Sequence, residues 1–283
     1  MKLNNQQILL DGDWIVYMSC MAVEYGLEEH VEPRFEDVLK VFDYKLKEIQ
    51  KYVETDKPPI LYYTGKNNYR IKLATSKPYK GNRKQEKPFH YNNLKNYLEL
   101  NYETLTVDTV EADDLMAMNQ SDKTIIVTVD KDLRQVNGWH FSPEGHNYPS
   151  FGPTYVTDDN SYIEWKNPDK KAKGVVGTGW RFFYYQLLIG DSTDNIPGLP
   201  GCGPAGAYPN LVDVADEYEA YEVVRDMYRD KCLMADDYLL EQANLLWMVR
   251  GLHRDNSPIL WHPPLEPDPY SVDYWDSMPE EEV

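Results

Sequence analysis

Several features that define other protein classes are scarce or absent in this chain of 283 residues. The three cysteines, Cys20, Cys202 and Cys232, have no CxxC spacing and no neighbouring histidine pair, which argues against a disulfide framework and a zinc site. No apolar run reaches the length of a membrane span, so we expect an intracellular protein without membrane association. Neither a phosphate-binding Gly-x-x-x-x-Gly-Lys-Ser/Thr loop nor a Gly-x-Ser-x-Gly or Cys/His nucleophile signature occurs.

Basic residues are also in deficit, since 29 Lys and Arg face 47 Asp and Glu and the net charge is −18. A deficit of this kind argues at first against nucleic acid, because non-specific affinity for DNA comes from cations that neutralise phosphates. Between residues 66 and 95, however, nine basic residues accompany one acid. Such a band can steer a polyanion locally. The alternative is a solvated lysine-rich loop without a ligand.

Short apolar runs alternate with helical patterns through the first half of the chain. The sequence predicts strands at 8–10, 60–63, 105–110 and 124–129, and a helix over 35–49 whose apolar residues are spaced by three and four. This alternation predicts an α/β fold with a mostly parallel central sheet and helices on both faces. Further on, we expect loops around a short hairpin after residue 140, and helices at 180–189, 211–228 and 238–249.

Acidic residues follow the predicted strands at their carboxyl ends, where parallel sheets place ligands. Together with two acids after the helix at 180–189 they form a set of eight: Asp11, Glu111, Asp113, Asp114, Asp130, Asp132, Asp191 and Asp194. Asp130 and Asp132, just past a strand, would point to the same side if the backbone stays extended. Asp191 and Asp194 are three residues apart, so on a helical turn they would share a face. The acids at 111–114 would open a helix.

Gathering eight carboxylates is costly, because one like-charged pair at ~4 Å repels by about 4 kcal/mol at an effective dielectric near 20. Cations must offset that repulsion. An all-oxygen ligand set selects Mg²⁺ or Mn²⁺ over zinc. Two such ions ~3.5 to 4 Å apart can activate a water and stabilise the leaving oxygen of a phosphodiester.

Five motifs follow one another between residues 10 and 198: Leu10-Asp11-Gly12-Asp13-Trp14, Tyr79-Lys80-Gly81-Asn82-Arg83, Glu111-Ala112-Asp113-Asp114, Thr128-Val129-Asp130-Lys131-Asp132 and Gly190-Asp191-Ser192-Thr193-Asp194-Asn195-Ile196-Pro197-Gly198. In this order they resemble the 5′-to-3′ exonuclease and flap endonuclease family, especially its bacteriophage members. The resemblance implies a divalent-metal-dependent nuclease that acts on DNA at 5′ ends or 5′ flaps, in the cytoplasm of an infected bacterium.

The resemblance also implies a domain organisation. A PIN-like nuclease domain would span 1–175, with a basic arch at about 66–95. A helix-three-turn-helix region that grips duplex DNA would span 176–262, and 263–283 would be an acidic, Pro-rich tail. The implied partners are DNA with a 5′ flap, a nick or a duplex end, an RNA primer strand, and other replication proteins.

Residue roles follow from the same resemblance. Asp11, Glu111, Asp113 and Asp114 would serve mainly one Mg²⁺ or Mn²⁺ ion, and Asp130, Asp132, Asp191 and Asp194 mainly the second. Lys80 and Arg83 would act on the scissile phosphate. The DNA contacts would be Arg70, Tyr79, Lys84, Gly201 and Gly203, with core packing as the alternative for the tyrosine. A K⁺ ion would sit on hairpin carbonyls, at Leu199 and Gly201.

Two departures from the family pattern keep other functions open. Many relatives have an acid after the second strand, where this chain reads Tyr63-Thr64-Gly65-Lys66, and the hairpin lacks a lysine after Pro204. One alternative is therefore a catalytically degenerate protein that binds branched DNA without cutting it. Another is a ribonuclease on the same PIN-like scaffold, because metals meet the same phosphate in RNA and DNA.

Overall fold

The computed structural model describes residues 2–28, 31–82, 86–145 and 149–264. Within these ranges the strands are β1 (Gln7–Asp11), β2 (Ile60–Thr64), β3 (Glu103–Val107), β4 (Thr124–Val127), β5 (Gly138–Ser142), β6 (Phe151–Val156), β7 (Tyr162–Trp165) and β8 (Val175–Thr178). A six-stranded sheet has the order β3-β2-β1-β4-β5-β6, in which only β6 is antiparallel to its neighbour. The last two strands form a separate antiparallel hairpin.

The helices in the described part of the chain are α1 (Gly12–Glu24), α2 (Phe35–Tyr52), α3 (Tyr69–Leu73), α4 (Tyr91–Asn101), α5 (Ala112–Met118), α6 (Gly179–Ile189), α7 (Pro204–Leu211), α8 (Glu217–Lys231) and α9 (Ala235–Leu246). Short 3₁₀ helices occupy Lys131–Gln135, Asp158–Asn160 and Pro168–Lys173. None of these helices is long and apolar enough to cross a bilayer.

Both faces of the sheet are covered, as side chains that alternate along β1 show. Ile8 and Leu10 pack into a core with α1, α2 and α4, whereas Leu9 packs into another core with α5. Alternate residues of a strand point to opposite faces, so a strand buried on both sides is continuously apolar. The predicted α/β fold class, with a mostly parallel sheet between helices, is confirmed.

The predicted strands are confirmed, although β3 and β4 each end earlier than expected, at Val107 and Val127. The helix predicted at 211–228 is wrong in its start. Here α7 ends at Leu211 and α8 begins after Asp216, whose side chain accepts a hydrogen bond from the amide of Glu219 at 2.9 Å. This cap starts a new helix, so the residues predicted as one helix belong to two.

The helices α6 to α9 share a core that also takes in the β7–β8 hairpin. Ile163 and Val175 of the hairpin pack in one cluster with Phe183 of α6 and Val224 of α8. The domain boundary expected at residue 175 coincides with the first residue of β8. It would separate β7 from β8, although both strands pack in the core of the helices. Most of the tail predicted at 263–283 lies outside the described residues.

Candidate metal and nucleic-acid site

The candidate site begins where β1 ends. Asp11 is the last residue of β1 and also the residue that caps α1, because its Oδ1 accepts the amide of Trp14 at 2.9 Å. Its other oxygen accepts the Thr128 hydroxyl at 2.9 Å, which joins β1 to the end of β4. Both contacts hold the carboxylate at the carboxyl edge of the sheet.

A second acidic segment opens α5, as the sequence predicted. Glu111 is the capping residue, and its side chain and that of Asp114 form a reciprocal capping box with the backbone. Acids at this position also interact favourably with the helix dipole. Asp113 lies between them and is half-buried.

The third segment differs from the expectation. Asp130 has extended backbone, but its side chain accepts the amide of Asp132 at 2.9 Å and starts the 3₁₀ helix Lys131–Gln135. The prediction of an extended Asp-x-Asp segment is therefore wrong. The turn still brings both carboxylates to the site, because Asp132 is buried against Gln186 of α6, whose amide donates to it at 2.6 Å.

The fourth segment is a closed turn rather than a helical one. Helix α6 stops at Gly190, whose φ of +70° an L side chain rarely adopts, and Asp191 then pairs with Ile196 through backbone hydrogen bonds of 2.9 and 2.8 Å. The prediction that Asp191 and Asp194 share a helical turn is wrong. The turn nonetheless brings both carboxylates to lysines of the site, Asp191 to Lys131 at 2.7 Å and Asp194 to Lys80 at 3.6 Å.

Two lysines bridge carboxylates of different segments. The Lys80 ammonium pairs with Glu111 and lies 3.6 Å from Asp194. The Lys131 ammonium lies 2.8 Å from Asp132 and 2.7 Å from Asp191. We call Glu111 and Asp191 the outer carboxylates. Lys131 was not among the residues predicted for the site, although its place between two acids of one motif is a sequence signal.

Three further acids, Asp11, Asp113 and Asp130, lie between these ion pairs, and we call them the central carboxylates. In the described part of the chain no lysine or arginine forms an ion pair with any of them. Their negative charges act on one another, since Asp130 and Asp11 both raise the pKa of Asp113. The carboxylates predicted from separate segments are thus brought together.

The pKa values separate the outer from the central carboxylates, whereas burial raises the pKa of Asp132 to about 7 although Lys131 contacts it. Burial raises the pKa of Asp11 to about 7, and burial and the charge of Asp130 raise that of Asp113. The Lys80 and Arg70 charges outweigh burial and lower the pKa of Glu111, and Lys131 does the same for Asp191. A raised pKa in several neighbouring acids marks a place where negative charge is not compensated.

The donor set fits hard divalent cations, because it consists of carboxylate oxygens that burial and mutual repulsion leave in need of positive charge. Among the described side chains, however, no three potential ligands are close enough to hold one ion as they stand. The ammonium groups of Lys80 and Lys131 occupy oxygens that an ion would need. A metal held by these predicted ligands would compete with both lysines for the carboxylates.

Two predicted roles are wrong. Arg70 is 1% exposed and gives its guanidinium to Asp114, at 2.6 and 2.8 Å, and to the carbonyls of Leu245 and Trp247. It therefore cannot contact a phosphate at the surface. Asp114 is fully buried, and its two oxygens also accept the amides of Glu111 and Val249. With four hydrogen bonds accepted, it has no free position for a metal and instead fixes the start of α5.

Tyr79 is also buried, at 8% exposure, so the base-stacking role is wrong and the packing alternative holds. Its hydroxyl lies 2.7 Å from Glu111 and 2.8 Å from Asp194, and its single proton can go to one of them at a time. The tyrosine thus ties two carboxylate segments together. Arg83 and Lys84, predicted as a catalytic residue and a DNA contact, lie outside the described residues.

The segment after β2 explains one departure from the family pattern. A Cβ on Gly65 would lie 1.9 Å from the carbonyl oxygen of Val107, so no side chain fits there. Lys66 is exposed beyond it. The neighbouring amide of Thr64 donates to Asp13 of α1 at 2.9 Å. An acid, Asp13, thus lies next to this segment although none follows β2 directly.

The glycine-rich hairpin between α6 and α7 is open to a ligand. Gly201 and Gly203 are exposed, and a Cβ on either would meet nothing within 4 Å. Gly203 caps α7, which begins with Pro204. Leu199 is buried at 1% exposure, which anchors the hairpin to the helical core. Backbone amides presented in this way can donate to phosphate.

Comparison with solved structures identifies the class of fold. The phage T5 5′-exonuclease with bound zinc ions matches with a TM-score of 0.56 and 13% identity, over 86% of this chain and 89% of that one. A phage T5 flap endonuclease complex with DNA and metal ions gives a TM-score of 0.56 and 14% identity, over 85% and 88%. At these identities the likeness shows the fold, which is that of phage 5′ nucleases.

Sequence relatives agree with the fold. The chain is 26% identical over 217 residues to a 5′-3′ exonuclease of Buchnera aphidicola, over 71% of this chain and 68% of that protein. It is 26% identical over 216 residues to the exodeoxyribonuclease of enterobacteria phage T3, over 69% and 63%. A flap endonuclease Xni of Shewanella woodyi is 35% identical over 121 residues, 40% and 42% of the two chains. The resemblance predicted from the five motifs is confirmed.

The length of the match varies among these proteins. Against the DNA polymerase I of Rhizobium leguminosarum, identity is 31% over 122 residues, which is 41% of this chain and 11% of that protein. The chain thus spans about a ninth of this relative and less than half of the Shewanella one. No protein-family model matches the chain.

Proposed function

We propose that this protein hydrolyses DNA phosphodiester bonds at 5′ ends or 5′ flaps and depends on divalent cations. The observation that carries the proposal is the group of central carboxylates, Asp11, Asp113 and Asp130, which form no ion pair among the described residues and repel one another. Partly buried negative charges that repel one another are expected to take up cations. The sequence relatives and the fold support the same class of reaction.

The proposed ions are two Mg²⁺ or Mn²⁺. Asp11, Glu111 and Asp113 would hold one, and the acids at 130, 132, 191 and 194 the other. Such ions supply charge neutralisation and a more acidic water for attack on phosphorus. Asp114 is left out of this ligand set, because its hydrogen bonds with Arg70 and two backbone amides are complete.

The protein's own cations would act on the phosphate. Lys80 is 23% exposed at its side chain and lies beside the outer carboxylate Glu111. Glu111 would help to hold a cation, and the Lys80 ammonium would donate to the oxygens of a bound phosphate, where negative charge develops. Arg83 is proposed as its companion from the motif alone.

The duplex would be held by the hairpin. The exposed Gly201 and Gly203 would let a DNA backbone approach closely, and a K⁺ ion on the carbonyls of Leu199 and Gly201 would bridge to phosphate. Proposed substrates are thus DNA with a flap, a nick or a duplex end. An RNA primer strand and replication proteins are further proposed partners.

A gel assay with Mg²⁺ tests the proposal on a 5′ flap, a nicked duplex and a single strand. The wild-type protein should cut the flap or release nucleotides from the 5′ end, and EDTA should stop it. Asp130→Ala should abolish cleavage and keep measurable DNA binding. Asp56→Ala, which removes an exposed acid far from the site, should cleave like the wild type. Cleavage by Asp130→Ala in saturating Mg²⁺ would refute the assignment.

Lys66, exposed where relatives have an acid, favours one alternative, a protein that binds branched DNA without cutting it. Calorimetric titration with Mg²⁺ separates the two, because an inactive protein of this kind would bind flap DNA with no Mg²⁺ binding at the carboxylates. Matched RNA and DNA flaps test the ribonuclease alternative. Preference for a strand with an RNA 5′ segment would indicate removal of primers.

A further inference from the structure

A groove runs from the candidate site along the β7–β8 hairpin. Its volume is about 790 Å³, within the range of sites that hold small molecules. At one end it is lined by Asp130, Asp132, Asp191 and Asp194. A molecule in the groove would therefore lie directly next to a phosphate held at the carboxylates.

The groove lining also carries cations. It includes Lys131, Arg134 and Lys166, with Glu164 as a further acid. Neither Arg134 nor Lys166 forms an ion pair with a described acid, and the buried Nε of Arg134 has no hydrogen-bond partner within the described part of the chain. Burial and the neighbouring charges of Lys131 and Arg134 lower the pKa of Lys166, which shows that three positive charges are concentrated here.

Aromatic rings alternate with these cations. The Arg134 guanidinium lies 4.1 Å from the centre of the Phe151 ring, and Tyr162 and Trp165 line the same groove. The Tyr208 ring packs against the Trp165 ring, with ring centres 4.3 Å apart. All three lining rings are half-buried, so part of each is open to the groove. Cations interleaved with exposed rings are the surface on which unpaired bases stack and their phosphates pair.

We propose that this groove binds one nucleotide of an unpaired DNA strand next to the bond that is cut, with Arg134 and Lys166 on its phosphate and Tyr162 or Trp165 against its base. The planar guanidinium can contact a phosphate with two donors at once. The inference rests on the proposed function, since it assigns a neighbouring nucleotide to that same site.

Calorimetry with deoxyadenosine 5′-monophosphate in Ca²⁺ tests this site, with inorganic phosphate as a second probe. The wild type should bind the nucleotide more tightly than phosphate. Arg134→Gln/Lys166→Gln should bind it about tenfold more weakly, the loss of roughly one charge-assisted hydrogen bond. Lys166→Gln alone, at an exposed position, should weaken binding about threefold by the same reasoning. The matched control, Lys47→Gln/Lys123→Gln, removes two exposed lysines and should bind like the wild type.

Nucleotide affinity equal in the wild type and in both groove variants would overturn the inference, as would a wild type that binds phosphate as tightly as the nucleotide. Flap cleavage by the wild type, measured in parallel, separates this failure from that of the proposed function. If the wild type cleaves the flap but the groove variants bind the nucleotide as tightly as the wild type, only the proposal of a nucleotide site in the groove is refuted. Nucleotide binding that depends on the groove, without any cleavage, refutes the nuclease proposal alone.

Discussion

The outer and the central carboxylates lie in one site but are stabilised in opposite ways. Glu111 and Asp191 each have a lysine partner, and their pKa values are lowered. Asp11 and Asp113 have none among the described residues, and burial raises their pKa values. The protein thus pairs negative charge with lysines at the edges of the site and forms no ion pair at the centre among the described residues, where we propose that a cation binds. The following experiments test that division.

Removing a central carboxylate should have the largest effect. Asp113→Ala should lower flap cleavage by about 10³-fold, because lost metal stabilisation of several kcal/mol costs a factor of ten for each 1.36 kcal/mol. The rate constant under single-turnover conditions measures this. Asp56→Ala is the control. A loss below tenfold would show that the centre is not where the cation acts.

Breaking the buried ion pair between Arg70 and Asp114 should lower the stability of the folded state. Arg70→Ala leaves the fully buried Asp114 without its partner, so the free energy of unfolding should fall by about 3–5 kcal/mol. Urea unfolding in EDTA measures it. Lys72→Ala, at an exposed position of the same helix, should change the free energy by less than about 0.5 kcal/mol. Equal stability of the two variants would contradict the structural role of Arg70.

Lys80 sharpens the comparison, because it pairs with the outer carboxylate Glu111 and is also the residue that we propose acts on the phosphate. Lys80→Ala should lower the cleavage rate by roughly 10² to 10³, as for removal of one electrostatic stabiliser. Its affinity for DNA should change much less than the rate. A rate loss below threefold would remove Lys80 from the mechanism.

Lys131 should affect metal affinity in the other direction. Its ammonium holds Asp132 and Asp191 in the absence of metal. Lys131→Ala frees both, so Mg²⁺ affinity measured by calorimetry without DNA should rise about tenfold, the value of one charge-assisted hydrogen bond. Lys123→Ala, at an exposed position, is the control. Weaker Mg²⁺ binding by Lys131→Ala would mean that the lysine organises the ligands instead of competing for them.

The smallest effect is on the pH dependence of stability without metal. Burial raises the pKa of Asp11 and of Asp132 to about 7, so these groups stabilise the folded state at low pH and lose that contribution as pH rises through 7. Burial lowers the pKa of His140 to about 4, which costs stability only below its ordinary value of 6.5.

Between pH 6.5 and 8 the melting temperature in EDTA should therefore fall, and Asp132→Asn should reduce the fall. Asp56→Asn should leave it unchanged. A melting temperature that rises over this interval in the wild type would contradict the raised pKa values of Asp11 and Asp132. Saturating Mg²⁺ should remove the decrease, because a bound cation favours the charged carboxylates.

The sequence predicted the sheet and the meeting of the acids because both depend on patterns along the chain. Apolar runs locate strands, and acids after parallel strands must meet at one edge. Roles that depend on burial were not accessible in this way. Arg70 and Lys80 belong to the same basic band, yet one is 1% exposed at its side chain and the other 23%. The charge of a residue in the sequence therefore does not predict whether its side chain is buried in an ion pair, as in Arg70, or partly exposed at the site, as in Lys80.

Local hydrogen bonds account for the other differences. The pattern of apolar residues did not predict helix α1, which follows β1 directly. The structure shows that the Asp11 side chain caps this helix, while Ile15 and Cys20 turn inward. In the same way, Asp130 caps a 3₁₀ helix where extended backbone was expected. Aspartate favours helix starts for this reason, so a capping position is a signal that the pattern of apolar residues misses.

The contact of Gly65 with the Val107 carbonyl limits how this site can be redesigned. A carboxylate cannot be added at 65, because any side chain would collide with the backbone of β3 at 1.9 Å. The last residue of β2, Thr64, is exposed and its side chain faces the start of α5, where its hydroxyl accepts the amide of Ala112 at 3.3 Å. An engineered acidic ligand therefore belongs at Thr64, one position earlier.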